Sequence, residues 1–150
     1  MIVFLYAIFI LNICDSNFPP KEYYDFLQQR KTKYLFNYEE NYLRQTLYIN
    51  EIKERKMFVR VITLNYEDKK YTALEGWAKE ADSSGAVKEE TDECGGTYSI
   101  REFELENNGC KLLLKVSILF DRAKIIDKEQ CYKKFNENCP LESIATLRRF

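Results

Sequence analysis

Two spacings of apolar residues divide the chain, and each predicts a different element. From Lys21 to about Gln45 the period is helical. At about 100° per residue, Tyr23, Tyr24, Leu27, Tyr34, Leu35, Tyr38 and Tyr42 share one stripe roughly 120° wide. Lys21, Gln29, Arg30, Lys33, Asn37 and Glu40 take the opposite face, and Pro19-Pro20 just ahead suits a helix start. Beyond this stretch the period drops to two. Phe58 to Leu64 is β-branched and compact and reads as a strand. Asn65 to Lys70 is a polar turn, Tyr71 to Ala81 a returning strand, and Leu47 to Ile52 a short edge strand.

Asp82 to Glu93 (DSSGAVKEETDE) is nearly free of large apolar residues and predicts a flexible loop. Thr97 to Leu105 and Cys110 to Phe120 then flank Asn107-Asn108-Gly109, whose central Asn-Gly suits a type I′ hairpin turn. Pairing Asn107 with Cys110 puts Leu105 opposite Leu112, Phe103 opposite Leu114 and Tyr98 opposite Leu119. Cys110, Leu112, Leu114, Val116, Ile118 and Phe120 then line one face. Asp121 to Phe150 predicts a short helix around Asp127–Lys133 and a tail fraying at Thr146–Phe150. The predicted class is α+β: one long N-terminal helix packed on a roughly four-stranded antiparallel sheet, with a disulfide-tethered C-terminal tail.

Residues 1–14, MIVFLYAIFILNIC, hold an apolar run too short to span a bilayer but of signal-peptide length. Cleavage after Ser16 leaves one exported domain, residues 17–150. Four cysteines remain: Cys94, Cys110, Cys131 and Cys139. An even count in a small exported domain predicts two disulfides. The hairpin register puts Cys94 and Cys110 at opposite ends of a strand spanning about 26 Å, which excludes their pairing. Two connectivities stay open, and Cys94–Cys131 with Cys110–Cys139 is the favoured one.

The order of a helix followed by antiparallel strands, with cysteines confined to the C-terminal half, resembles the cystatin-like architecture over residues 20–120. That resemblance implies a fold and not an inhibitory site. The turn Asn65–Lys70 lacks a Gln-x-Val-x-Gly hairpin, and Trp77 follows Gly76 inside a strand where cystatins carry a Pro-Trp hairpin. NTF2-like proteins are a second α+β option, although they begin with more helix. A lipocalin barrel of eight strands would leave no room for the helix.

Composition narrows function mainly by exclusion. The chain has no histidine, which removes imidazole bases and most zinc enzymes. Loss of Asp15 with the leader leaves 24 − 1 = 23 acidic against 23 basic residues, so neither a nucleic-acid footprint nor a polybasic membrane patch is expected. Carboxylate pairs at Glu39-Glu40, Glu89–Glu93 and Glu102/Glu104 read as solvated faces. No catalytic, cofactor or metal residue is assigned. The expectation is a secreted, non-enzymatic module that binds an extracellular protein, as an effector or inhibitor, through loops 65–70 and 82–93. The alternative is a carrier of a small apolar ligand, lipid or amine, in a pocket lined by Tyr23, Tyr34, Tyr38, Tyr42 and Trp77.

Overall fold

The computed structural model describes residues 18, 19, 21, 24, 25, 31–82, 84–107, 109–129, 131 and 139–150. Their secondary structure is nearly all β. In chain order the strands are β1 Tyr34–Glu40, β2 Leu43–Lys53, β3 Lys56–Asn65, β4 Lys70–Glu80, β5 Lys88–Thr91, β6 Thr97–Asn107, β7 Cys110–Ser117, β8 Arg122–Asp127 and β9 Leu147–Arg149. Every pairing is antiparallel. The sheet runs β4-β3-β2-β1-β9-β8-β7-β6-β5, and a β4–β6 pairing closes it. Eight strands thus form a barrel, and β5 hangs on β6 beyond the end of β4.

The α+β class and the cystatin-like order are therefore wrong, and the stretch read as helix explains why. Its second half is β1 and β2. Glu40 pairs with Leu43, so Asn41 and Tyr42 make a two-residue hairpin turn, with Asn41 at φ 52°. Phe36 points into the barrel, with Tyr34 and Tyr38 on the same face, at the strand period of two. Tyr34, Tyr38 and Tyr42 also fit a helical stripe, because spacings of four satisfy both periods. Of the first half, the described Lys21, Tyr24 and Asp25 are helical. Without a 25-residue helix there is room for the eight-stranded barrel.

The two central hairpins follow their sequence signals. Leu105 pairs with Leu112 and Phe103 with Leu114, and Gly109 in the turn has φ 73°. β7 stops at Ser117, however, so Ile118 to Phe120 form a turn and Tyr98 has no ladder partner at Leu119. Two elements of the supposed tail are strands. β8 pairs with β7, and β9 joins β8 to β1 through Ala123–Leu147 and Phe36–Arg149, so Leu147–Arg149 is the closing strand and not a frayed end. The leader at residues 1–16 lies outside the described residues. Where residues 127–133 are described they are not helical: Asp127 ends β8, and Lys128, Glu129 and Cys131 are in turns.

Inward-facing side chains fill the barrel. Phe36, Leu47, Ile49, Met57, Leu105, Leu112, Leu114, Ile125 and Leu141 are all at most 1% exposed. At one end, the plug end, residues 139–144 cross the opening. Gln45 donates to the carbonyls of Pro140 (3.2 Å) and Glu142 (2.7 Å) and accepts from the Ile144 N–H (2.8 Å). Thr63 donates to Pro140 as well (2.6 Å).

Cys110 and Cys131 form a disulfide with Cα atoms 5.3 Å apart, while Cys94 and Cys139 are thiols. The favoured pairing, Cys94–Cys131 with Cys110–Cys139, is thus overturned. It assumed that Cys131 follows the far end of β7, but β8 carries the chain back to the end where Cys110 sits. The bond spans a sequence separation of 21 residues. Its loss, by reduction or by a double change to alanine, is expected to lower stability by about 3 kcal/mol, read from the urea midpoint.

Candidate functional site

The five aromatic residues of the predicted pocket do not converge. Tyr34 and Tyr38 face into the barrel from β1. Tyr42 stands in the β1–β2 turn, 45% exposed, and Tyr23 lies outside the described residues. Trp77 is on the outer face of β4, because Ala78 and Leu74 take the inner one. It meets Phe58 edge-on at 5.5 Å, with the Lys53 and Lys56 ammonium groups 4.9 and 4.8 Å from its ring. Two open hollows are of ligand size. One of ≈490 Å³ is lined by Lys53, Glu54, Arg55, Lys56, Lys79 and Glu80. The other, ≈700 Å³, is bordered by Trp77, Lys79, Glu104, Glu106 and Asn107. Both are rimmed by charge, and no tyrosine borders either.

The two predicted contact loops sit at opposite ends of β4. Ten residue steps separate Lys70 from Glu80, about 33 Å of strand, so they cannot form one surface. Loop 65–70 is at the plug end, where the Asp68 N–H bonds the Asn65 side chain (3.0 Å) and Tyr66 packs edge-on against Phe18 (5.5 Å).

Segment 82–93 lies toward the other end, and its second half is no flexible loop. Lys88–Thr91 is strand β5, and the residues after it strap the outer face of β7, β8 and β9. Glu90 accepts from Lys115 (2.8 Å) and Lys124 (3.1 Å). Asp92 accepts from the N–H groups of Cys94 (3.0 Å) and Gly96 (2.9 Å) and pairs with Arg122 (3.1 Å). Glu93 accepts from the Thr146 N–H (2.6 Å) and hydroxyl (2.8 Å).

All three carboxyls are held below their ordinary range. For Glu90 the Lys115 hydrogen bond is the main cause, opposed by burial and aided by Lys124. For Asp92 it is the Gly96 N–H, opposed by burial and aided by Cys94 and Arg122. For Glu93 burial is the largest influence and pushes upward, but its own backbone N–H and the two Thr146 donors outweigh it. A carboxyl depressed in the folded state contributes stability that is complete above the unfolded value, about 4. That contribution disappears as pH falls through the folded values. The urea midpoint is therefore expected to drop below about pH 4, and Glu90→Gln to make that drop shallower.

At the end of the barrel opposite the plug, the β7–β8 turn is the most sharply built feature. Ser117 is its hub: its hydroxyl donates to Asp121 (2.7 Å) and accepts the N–H groups of Asp121 (2.9 Å) and Arg122 (3.0 Å). The Phe120 N–H bonds the Ser117 carbonyl (2.9 Å). Phe120 adopts φ 55° and lays its ring on Tyr34, centroids 4.6 Å apart and planes within 9°. Arg149 donates its N–H to the Asp121 carbonyl (3.0 Å), and its guanidinium lies 6.0 Å from the Tyr34 ring. Ile118 and Leu119 are left projecting outward, 48% and 73% exposed. On the inner face nearby, Arg101 pairs with the carboxylate of Glu80, which is 6% exposed.

Reading Cys110–Phe120 as one strand hides this turn. A serine followed four residues later by an aspartate, inside an otherwise apolar run, is the local signal for it. Among the described residues no group of three His, Cys, Asp or Glu side chains could hold a metal ion, and no helix is long and apolar enough to cross a membrane. Glu102 is engaged with Lys88 (2.6 Å), and Glu104 lies 4.0 Å from Lys111. No family model, no curated protein and no solved structure matches the chain.

Proposed function

We propose that the protein is a secreted, non-enzymatic module that binds another extracellular protein from the end of its barrel carrying residues 84–87 and the 117–121 turn. The observation that carries this reading is the filled interior. A barrel of about eight strands either packs its own side chains or encloses one small ligand. Here the inner face is occupied by the chain's own Phe36, Leu47, Ile49, Leu105, Leu112 and Leu114, each 0% exposed and packed in one cluster. The usable surface is then the outside, and loop ends set on a rigid barrel are the ordinary place for recognition.

The reading is tested by immobilising the oxidised domain, passing extracellular fluid over it, and analysing both bound proteins and extracted small molecules by mass spectrometry. The expected result is a protein that, once purified, rebinds with saturable one-to-one stoichiometry. Recovery of a stoichiometric lipid or amine with no protein would instead favour the carrier reading.

A further inference from the structure

We infer that Ile118 and Leu119 form the anchor by which this end of the barrel grips an acidic protein partner bearing an apolar pocket; the inference rests on the protein-binding reading above. Turns between strands ordinarily carry Gly, Asn, Asp, Ser or Pro. This one carries Ile118-Leu119-Phe120, with the first two largely in water. A phenylalanine at φ 55° occupies a region disfavoured for bulky residues, and such strain persists only where the surroundings over-determine it. Here the Ser117 hub and the Phe120–Tyr34 stack do so. The outcome is two aliphatic side chains held outward on a fixed backbone, so little ordering remains to be done when they enter a pocket.

The uncompensated charge around them is mainly positive. Arg149 on β9 and Lys33 ahead of β1 are exposed, while the exposed Arg148 pairs with Asp92 (3.5 Å). Arg149 is bonded through its backbone to the turn itself, and Lys33 adjoins the Tyr34 that supports Phe120. Of the neighbouring carboxylates, Asp121 is engaged by Ser117 and Arg122, Asp92 by Arg122 and Arg148, and Glu89 is exposed on β5. An acidic partner surface complements this arrangement. A bilayer fits it less well. Asp121 and Glu89 would be pressed toward anionic headgroups, and a fluid acyl phase does not reward a fixed turn geometry.

The probe is a set of peptides of about a dozen residues, selected from a random display library on the oxidised protein and then synthesised. The selected peptides are expected to combine Asp or Glu with Leu, Phe or Trp and to bind more weakly as salt is raised. Leu119→Ser and Ile118→Ser are each expected to weaken binding about tenfold, and Arg149→Glu to weaken it as well. An unchanged melting temperature establishes that each variant is folded, and Leu119→Asn replaces the serine variant if it is not. Neutral or basic winners, no enrichment at all, or full-strength binding by the Leu119 variants would overturn the assignment. So would Leu119-dependent sedimentation with phosphatidylserine vesicles. If the Leu119 variant still captures the same extracellular protein as the wild type, the anchor is elsewhere and the protein-binding reading stands. If neither captures any protein, both fall.

Discussion

Changing Gln45 to alanine is expected to destabilise the protein by about 2–3 kcal/mol, because two part-buried backbone groups lose their partner and each such loss costs about 1–3 kcal/mol, least where solvent can reach the group. Gln45 is 2% exposed, and its amide holds the segment that closes the plug end. Without it the Glu142 carbonyl and the Ile144 N–H lose their partners, while the Pro140 carbonyl keeps Thr63. A loss of that size is a large part of a typical domain's stability of about 5–15 kcal/mol. It should appear as a lower urea midpoint with an unchanged slope. Chymotrypsin offers a second readout. Leu141 is 1% exposed in the wild type, and early cleavage there in the variant would show that the plug has come loose. Gln45→Glu is expected to be no better, since a carboxylate cannot donate to two carbonyls.

Truncating Phe36 is expected to do more damage, and it separates two opposed descriptions of the N-terminal third. On β1 its ring is 0% exposed, with Leu47 and Arg149 as its ladder partners. Removing a buried phenylalanine leaves a cavity, so Phe36→Ala should cost about 4 kcal/mol and Phe36→Leu less than about 1.5 kcal/mol. On the helical stripe through Tyr34, Leu35 and Tyr38, Phe36 would lie about 200° from Tyr34, on the solvent side. The same alanine change would then be nearly neutral, within about 0.5 kcal/mol.

The parts of the fold visible in the sequence are those whose signals are local. Asn107-Asn108-Gly109 fixes a register that the flanking strands keep as far as Ile100 and Ser117. Asn65–Lys70 likewise separates β3 from β4 within a residue of its sequence boundaries. What escaped depends on distant contacts. The turn at Asn41 has no glycine to mark it, and the tyrosines before it satisfy two periods at once. β8 does alternate, with Ala123 and Ile125 inward and Arg122 and Lys124 outward, but its polar face is disguised as a charged tail. Those outward cations are held by Asp92 and Glu90, some 30 residues earlier in the chain. β9 has one buried side chain, Leu147, and becomes a strand only because β1 and β8 offer it two open edges.

The candidate contact surface was half visible for the same reason. The polarity of segment 82–93 locates a loop only over its first half; Lys88–Thr91 is strand β5, and the partners that fix Glu90, Asp92 and Glu93 lie far away in sequence. Ile118 and Leu119 were seen as apolar, but their exposure follows from the Ser117–Asp121 bonds that end β7 early.

The closed and filled barrel underlies every step from packing to surface, and nuclear Overhauser spectroscopy on isotope-labelled protein tests it directly. Cross-strand contacts should join Phe36 to Arg149, Ala123 to Leu147 and Glu80 to Phe103. Strong sequential amide–amide contacts running from Tyr34 through Gln45, with those three cross-strand contacts missing, would mean that the segment is helical and the barrel does not exist.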